Sequence, residues 1–214
     1  MIKYEKMGIY LSKPIAFLFV LIYLSQSVLI IYLVRDKFNL EKQIGFQQKR
    51  ISELEEKLQI LQVIEDFQIG FTDEEKVELA DVISSECDKY DYDPLFLMAL
   101  IITESSFKRG QVSSKGAQGL MQIRPFVGQS LADKTGVDWE ANQTLFKPEI
   151  NIRLGSLHLF EMILKFKDVR KAIISYNLGE TALRSRMKLN KPLPKSYVNK
   201  VMSNYEMLKE QYKI

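Results

Sequence analysis

Glu104 closes a nearly unbroken apolar run, Leu95-Phe96-Leu97-Met98-Ala99-Leu100-Ile101-Ile102, and is followed by Ser105, Ser106 and Phe107. A carboxyl group there sits where a helix buried on most faces meets solvent. Desolvation disfavours the charged form, so the pKa of Glu104 is expected to rise. A carboxylic acid still protonated near neutral pH can give its proton to a leaving group, which an ordinary surface Glu does poorly. Downstream come Gly116-Ala117-Gln118-Gly119-Leu120-Met121-Gln122-Ile123 and, much later, Ser175-Tyr176-Asn177-Leu178-Gly179. One acid followed by two polar, glycine-bearing segments points to a sugar-cleaving site.

The elements that would hold these residues read as helices. Thr72-Asp73-Glu74-Glu75 is a capping box, with Thr72 as N-cap and Glu75 three residues on. It predicts a helix from there to about Tyr90. Asp93-Pro94 is a second start, Asp as cap and Pro at the first helical position, and this helix carries Glu104 at its far end. The segment 110–116 is a loop of Gly, Ser and Lys. Pro148 opens a helix through about Phe166, Asp168 caps another through Tyr176, and Ser196 starts the last, to about Tyr212. No strand-like alternation stands out. The expected fold is an all-α lobe.

The three segments, in order, resemble the motifs of the lytic transglycosylases of the soluble-transglycosylase (SLT) domain family, relatives of goose-type lysozyme. Those motifs are Glu-Ser-x-Phe, Gly-x-x-Gly-Leu-Met-Gln and Ala-Tyr-Asn-x-Gly, matched here at 104–107, 116–122 and 175–179. Ser196-Tyr197-Val198 is similar to the Tyr-Val segment that closes the family's groove. The resemblance covers roughly residues 74–210. It departs at Ser175 and Leu178, where Ala is usual, and at Arg124, where an apolar residue is common. The first two bear on subsite detail, the third on the groove's preference for charged peptide stems.

The resemblance implies a lysozyme-like fold, with Glu104 as the general acid and base. It implies that Gly119, Leu120, Met121 and Gln122 line the groove, that Tyr176 lies near the acid, and that Asn177 orients substrate. Gly116 and Gly119 permit positive φ and close backbone approach. Gln122 offers a donor and an acceptor, and Met121 an adaptable apolar contact. Ser105 could bond the acid or a substrate amide, or cap the helix end locally. Tyr197 could supply a second phenol or only pack its ring. Gly179 suits a left-handed helix stop. Phe107 reads as core.

The 214 residues leave room for one compact domain and an appendage, and a net charge of +3 is too small and unpatterned to argue for nucleic acid. No Walker loop, zinc-finger spacing or RNA-binding aromatic motif occurs. A single cysteine, Cys87, permits no internal disulfide and reads as a small buried residue. A single histidine, His158, removes a Ser-His-Asp triad and a multi-histidine metal site, and is expected to have no catalytic role. No metal or organic cofactor is required.

Residues 14–34 carry no charge, long enough to span a bilayer as a helix. Lys3, Lys6 and Lys13, offset by Glu5, precede them, and Arg35 and Lys37, offset by Asp36 and Glu41, follow; by this modest bias the positive-inside rule puts residues 1–13 in the cytoplasm and the rest outside a bacterial cell membrane, on the periplasmic or extracytoplasmic side. The competing reading is a cleaved signal peptide, whose apolar core would be shorter. Leu40, Ile44, Ile51, Leu54, Leu58 and Leu61 follow a 4-3 spacing interrupted by Gln47, an apolar seam that reads as a short coiled-coil stalk over residues 35–66. Arg50 and Glu55 stand where they would pair across a parallel homodimer. The alternative is a single amphipathic helix on the membrane or folded back on the domain. With all motifs beyond it, removal of residues 1–65 is expected to leave a soluble, active domain at 72–214.

Hydrolytic glycosidases usually place two carboxylates across the scissile bond. No second acid accompanies these motifs, and nothing in the spacing of Asp133 or Asp138 sets them opposite Glu104. The resemblance implies the chemistry that needs one acid: cleavage of peptidoglycan glycan strands in which N-acetylmuramic acid supplies its own C6 hydroxyl as nucleophile. Lysozyme-type hydrolysis and a wall-binding scaffold remain as alternatives.

Overall fold

The computed structural model describes residues 13–141 and 143–212. The chain divides into two compact units, residues 1–52 and 53–214. The basic flank expected in the cytoplasm lies, up to residue 12, outside the described residues. Regular structure among the described residues is helical, interrupted only by isolated bridge pairs such as Ile69 with Lys108 and Gln118 with Ile123.

In the first unit the regular element is helix α1 (Lys13–Phe67), which ends in the second unit. Its N-terminal apolar stretch has a mean hydropathy of 2.4 and leaves side chains such as Phe17, Leu29 and Ile31 exposed. Ser25 Oγ donates to Ile22 O at 2.8 Å and Ser27 Oγ to Tyr23 O at 2.9 Å, so neither hydroxyl is left without a partner. The helix is long and apolar enough to cross a membrane. Leu40, Ile44 and Ile51 of the seam are likewise uncovered.

The second unit begins inside α1, at Glu53. Two apolar stripes run along this part of the helix. Leu54 and Leu58 of the seam are exposed, while Ile60, Val63 and Ile64, one helical turn apart on another face, are completely buried. Gln59 Nε2 donates to Tyr212 O at 2.5 Å, Lys57 pairs with Asp81 at 2.9 Å, and the Tyr212 hydroxyl bonds Asp66. The boundary read from the sequence, with a stalk to residue 66 and a domain from 72, therefore moves. Residues 53–67 are part of the domain, because the heptad spacing conceals this second stripe.

Helix α2 (Asp73–Tyr90) starts as its capping box predicts: Glu75 N–H donates to Thr72 Oγ1 and Thr72 N–H to Glu75 Oε2. Helix α3 (Pro94–Ser105) opens with Leu95 N–H donating to Asp93 Oδ1 at 2.9 Å. It is apolar on nearly every face, and residues 97–101 are buried completely or almost so. Such a helix must run through the middle of the unit. Around it come α4 (Pro125–Thr135), a short 3-10 turn (Thr144–Phe146), α5 (Pro148–Phe166), α6 (Val169–Leu178), α7 (Glu180–Lys188) and α8 (Ser196–Gln211). The closest packing is α8 against α3, and α5 against α2 and α6. The sequence reading passed over α4 and α7. Cys87 is buried, and burial pushes its thiol pKa up.

Candidate active site

Glu104 sits in the last turn of α3. Beyond it Ser106 and Phe107 both take left-handed backbone, φ 53° and 56°, and Phe107 drops fully into the core. That anchored reversal ends the helix where the Glu104 side chain faces a groove of about 680 Å³. The groove is also lined by Gln122, Arg124, His158, Tyr176 and Asn177. A smaller cavity of about 400 Å³, walled by Tyr90, Phe96, Phe160 and Tyr205, does not include the acid.

Burial drives the pKa of Glu104 up to about 7, against two lowering influences. The Tyr197 hydroxyl donates to Glu104 Oε1, and the Lys200 ammonium lies close enough to favour the anion. Lys200 reaches back to Thr103 O at 3.5 Å. This cation comes from α8, a helix remote in sequence from Glu104. Because the Tyr197 bond lowers the acid's pKa, Tyr197→Phe is expected to shift the alkaline limb of any Glu104-dependent activity to higher pH. A pH–rate profile of the two proteins checks it; a limb that moves to lower pH contradicts it.

The glycine segment is stapled from behind by Asn151, a fully buried residue of α5. Met121 N–H donates to Asn151 Oδ1 at 2.7 Å, and Asn151 Nδ2 donates to Gln118 O and Leu145 O at 2.9 Å each. Gly119 has φ 79°, and a Cβ there would lie 2.2 Å from Asn151 Nδ2 and 2.5 Å from Leu145 O. Gly119→Ala is thus expected to destabilise the fold by several kcal/mol, roughly 3 or more from positive φ and overpacking together. Thermal unfolding followed by circular dichroism measures this; an unchanged midpoint would refute it.

The residues expected to line the groove separate. Glu104, Gln122, Tyr176 and Asn177 do so. Leu120 and Met121 are buried in the core, and Gly119 contributes backbone geometry. Ser105 is buried, its Oγ donating to Ile101 O at 3.1 Å, the local helix-end bond. Tyr197 touches the groove's chemistry through Glu104. Gln122, at φ 49°, spends its Nε2 on Gly119 O at 2.8 Å and Gln111 O at 3.0 Å. Only its Oε1 remains to meet a ligand, so it offers an acceptor and not the donor–acceptor pair expected. Tyr176 donates its hydroxyl to Met121 O at 2.7 Å, tying the end of α6 to the glycine segment. Gly179 has φ 94° and ψ 143°, an extended mirror conformation rather than the left-handed stop expected.

Two other carboxylates line the groove, Glu161 and Glu180. Lys134 holds Glu161 at 2.6 Å, and Lys165 and Arg184 hold Glu180 at 2.7 and 2.9 Å. Those bonds keep the Glu180 pKa below the usual range. Glu104 is thereby the groove carboxyl that combines a neutral-range pKa with no ion-pair contact within 4 Å among the described residues. Sequence reasoning passed over Asn151, Lys200 and the groove position of His158. A buried polar residue inside a helix was the one available signal for Asn151.

Residues 81–199 match the family profile of the Transglycosylase SLT domain. The chain is 31% identical over 130 residues to a membrane-bound lytic murein transglycosylase E of Buchnera aphidicola, covering 56% of this chain and 61% of that one. It is 30% identical over 128 residues to a transglycosylase of Enterobacteria phage PRD1, covering 60% and 43%. The chain thus spans less than two thirds of these relatives' lengths. Among solved structures, the 70 kDa soluble lytic transglycosylase of Escherichia coli superposes with a TM-score of 0.57 at 18% identity, over 71% of this chain and 26% of that one, a likeness of fold. With the profile running from the middle of α2 into the first turn of α8, more than half of its length, this chain belongs to the transglycosylase SLT domain family.

Proposed function

We propose that the protein is a membrane-anchored lytic transglycosylase. It cleaves the β-1,4 bond between N-acetylmuramic acid and N-acetylglucosamine in peptidoglycan and leaves 1,6-anhydromuramic ends. The observation that carries this is Glu104, an acid with a pKa of about 7 in a groove whose other carboxylates are locked in ion pairs. A carboxyl half-protonated at neutral pH serves as acid and then base. Glu104 first protonates the glycosidic oxygen as the C1–O bond breaks. The substrate's N-acetyl group supports the positive C1. Glu104, now a carboxylate, takes the proton of the C6 hydroxyl as that oxygen bonds to C1. Proton and charge return to their starting state, and no water is consumed.

Tyr197 holds the carboxyl in place, while Tyr176 fixes the glycine segment and Asn177 and Gln122 Oε1 meet the sugar. Hydrolysis would need a second, available carboxylate, and the lysine pairing of Glu161 and Glu180 disfavours it. The apolar part of α1 serves as the anchor, with the N-terminus cytoplasmic and the catalytic unit on the extracytoplasmic side. The exposed seam of Leu40, Ile44, Ile51, Leu54 and Leu58 supports a parallel homodimer through the stalk. The test is release of soluble muropeptides from purified sacculi by the full chain in detergent micelles. Release by the wild type is expected; a folded wild type that binds sacculi and releases nothing would favour a wall-binding scaffold.

A further inference from the structure

His158 lies on α5, four residues before Met162, and lines the same groove as Glu104. Its ring packs against that of Tyr176, centroids 5.1 Å apart at 47°. Tyr176 in turn holds the glycine segment through Met121 O, so the imidazole rests on a fixed wall. Among the described residues no protein group hydrogen-bonds either ring nitrogen. Among the described residues, the buried side-chain polar atoms without a partner are Glu86 Oε2 and Gln118 Oε1, so neither His158 nitrogen is sealed away. A part-buried imidazole that lines the groove, held by ring packing with its nitrogens unsealed and unpartnered among the described residues, is free to bond a ligand there.

The charge state narrows what that ligand offers. Burial holds the imidazole pKa down, to about 4, and Lys165 and Lys134 add to this, while Glu161 and Glu180 oppose it. All four of these groups are in ion pairs along the same wall. The ring is neutral at any pH where Glu104 works, with one nitrogen donating and one accepting. A neutral donor–acceptor suits a neutral polar group better than a carboxylate.

Resting on the proposed activity, we infer that His158 is a substrate-contacting residue that hydrogen-bonds a hydroxyl or acetamido group of a sugar bound across Glu104. It positions the glycan, and its bond exists in the bound substrate as well as in the transition state. Its loss is therefore expected in KM more than in kcat.

The test uses the full chain in detergent micelles, carrying Glu104→Gln so that binding is read without turnover. Co-sedimentation with insoluble peptidoglycan is measured for this protein and for its His158→Phe, His158→Asn and His158→Gln derivatives. Phe keeps the ring and removes the polar atoms; Asn and Gln place an amide near one or the other nitrogen. His158→Phe is expected to weaken binding about tenfold, and one of the two amides to restore most of it. Glycan strands stripped of peptide by an amidase should show the same loss. A loss seen only with peptide-bearing strands would overturn the sugar assignment. Equal binding by all the folded derivatives would overturn the contact itself. If Phe fails to fold, by circular dichroism, unchanged binding by both folded amides against Ala at the same position overturns the contact. With Glu104 restored, KM should rise about tenfold for His158→Phe with kcat within a factor of about three. A wild type that releases no product would count against the proposed activity, and the binding measurements would still decide the role of His158.

Discussion

Glu104→Gln is expected to cut glycan cleavage by roughly 10³-fold or more, since general acid–base catalysis supplies about 10²–10⁴ and the proposed mechanism gives both steps to this one residue. Gln is nearly isosteric and still accepts the Tyr197 hydroxyl, so the groove should keep its shape. In the proposed mechanism the acid form of Glu104 is the one that protonates the leaving group. With a pKa of about 7, kcat/KM should fall tenfold per unit as pH rises above that value. The same shift has a signature in stability. Between the ordinary value of 4.5 and about 7 the native state holds a proton that the unfolded chain has lost. The favourable contribution of the protonated acid is complete below 4.5 and is lost as pH climbs through 7. At pH 8 the folded wild type carries a partly buried carboxylate, and the Gln variant does not. Glu104→Gln should therefore melt higher than wild type at pH 8 and close to it at pH 4.5. Thermal scans at both pH values check this, and a lower midpoint at pH 8 would mean the carboxylate is better solvated than its burial implies.

The second large effect concerns where the catalytic unit begins. A chain of residues 53–214 is expected to melt cooperatively, and one of residues 67–214 is expected to lose that transition. The shorter piece lacks Ile60, Val63 and Ile64, all completely buried, each worth about 1.5–3 kcal/mol on burial. Their sum, roughly 5–9 kcal/mol, rivals the whole stability of a typical domain, about 5–15 kcal/mol. The cut also orphans Lys76 from Glu65 and the Tyr212 hydroxyl from Asp66. Circular dichroism melts of the two pieces decide it. Equal midpoints would put the boundary back at residue 66, where the spacing of motifs alone had set it.

Why that boundary was misread, while the burial and raised pKa of Glu104 were anticipated, follows from the kinds of signal involved. Glu104 announces itself locally, as one carboxyl at the end of an apolar run, and its raised pKa follows from that placement. The caps at Thr72, Asp93 and Asp168 are local as well, and each makes the bond its type implies. Helix α4 opens on Pro125 without a side-chain cap bond, as α5 does on Pro148, so its start was legible and went unused, while α7 follows α6 after the single residue Gly179, which leaves no loop to separate the two. In α1 two apolar stripes share one helix, and the longer heptad seam hides the shorter stripe that the domain buries. The remaining parts of the site depend on contacts far apart in sequence. Lys200 meets Glu104 because α8 packs on α3, and His158 meets Tyr176 because α5 packs on α6. No spacing in the chain encodes those encounters. Ser105 and Gln122 sit at the expected positions, but their polar atoms are spent on Ile101 O and on the glycine loop. Motif position fixes a residue's neighbourhood and leaves its hydrogen bonds to the fold.

In the proposed reaction one acid suffices because the sugar closes on itself. Mass spectrometry of peptidoglycan digested by the full chain in heavy-oxygen water, beside Glu104→Gln, tests it most directly. Products ending in 1,6-anhydromuramic acid, lighter by one water than reducing ends and free of heavy oxygen, are expected from the wild type only. Reducing ends that carry heavy oxygen would contradict it, making water the nucleophile and requiring a second carboxylate to be released from its lysine.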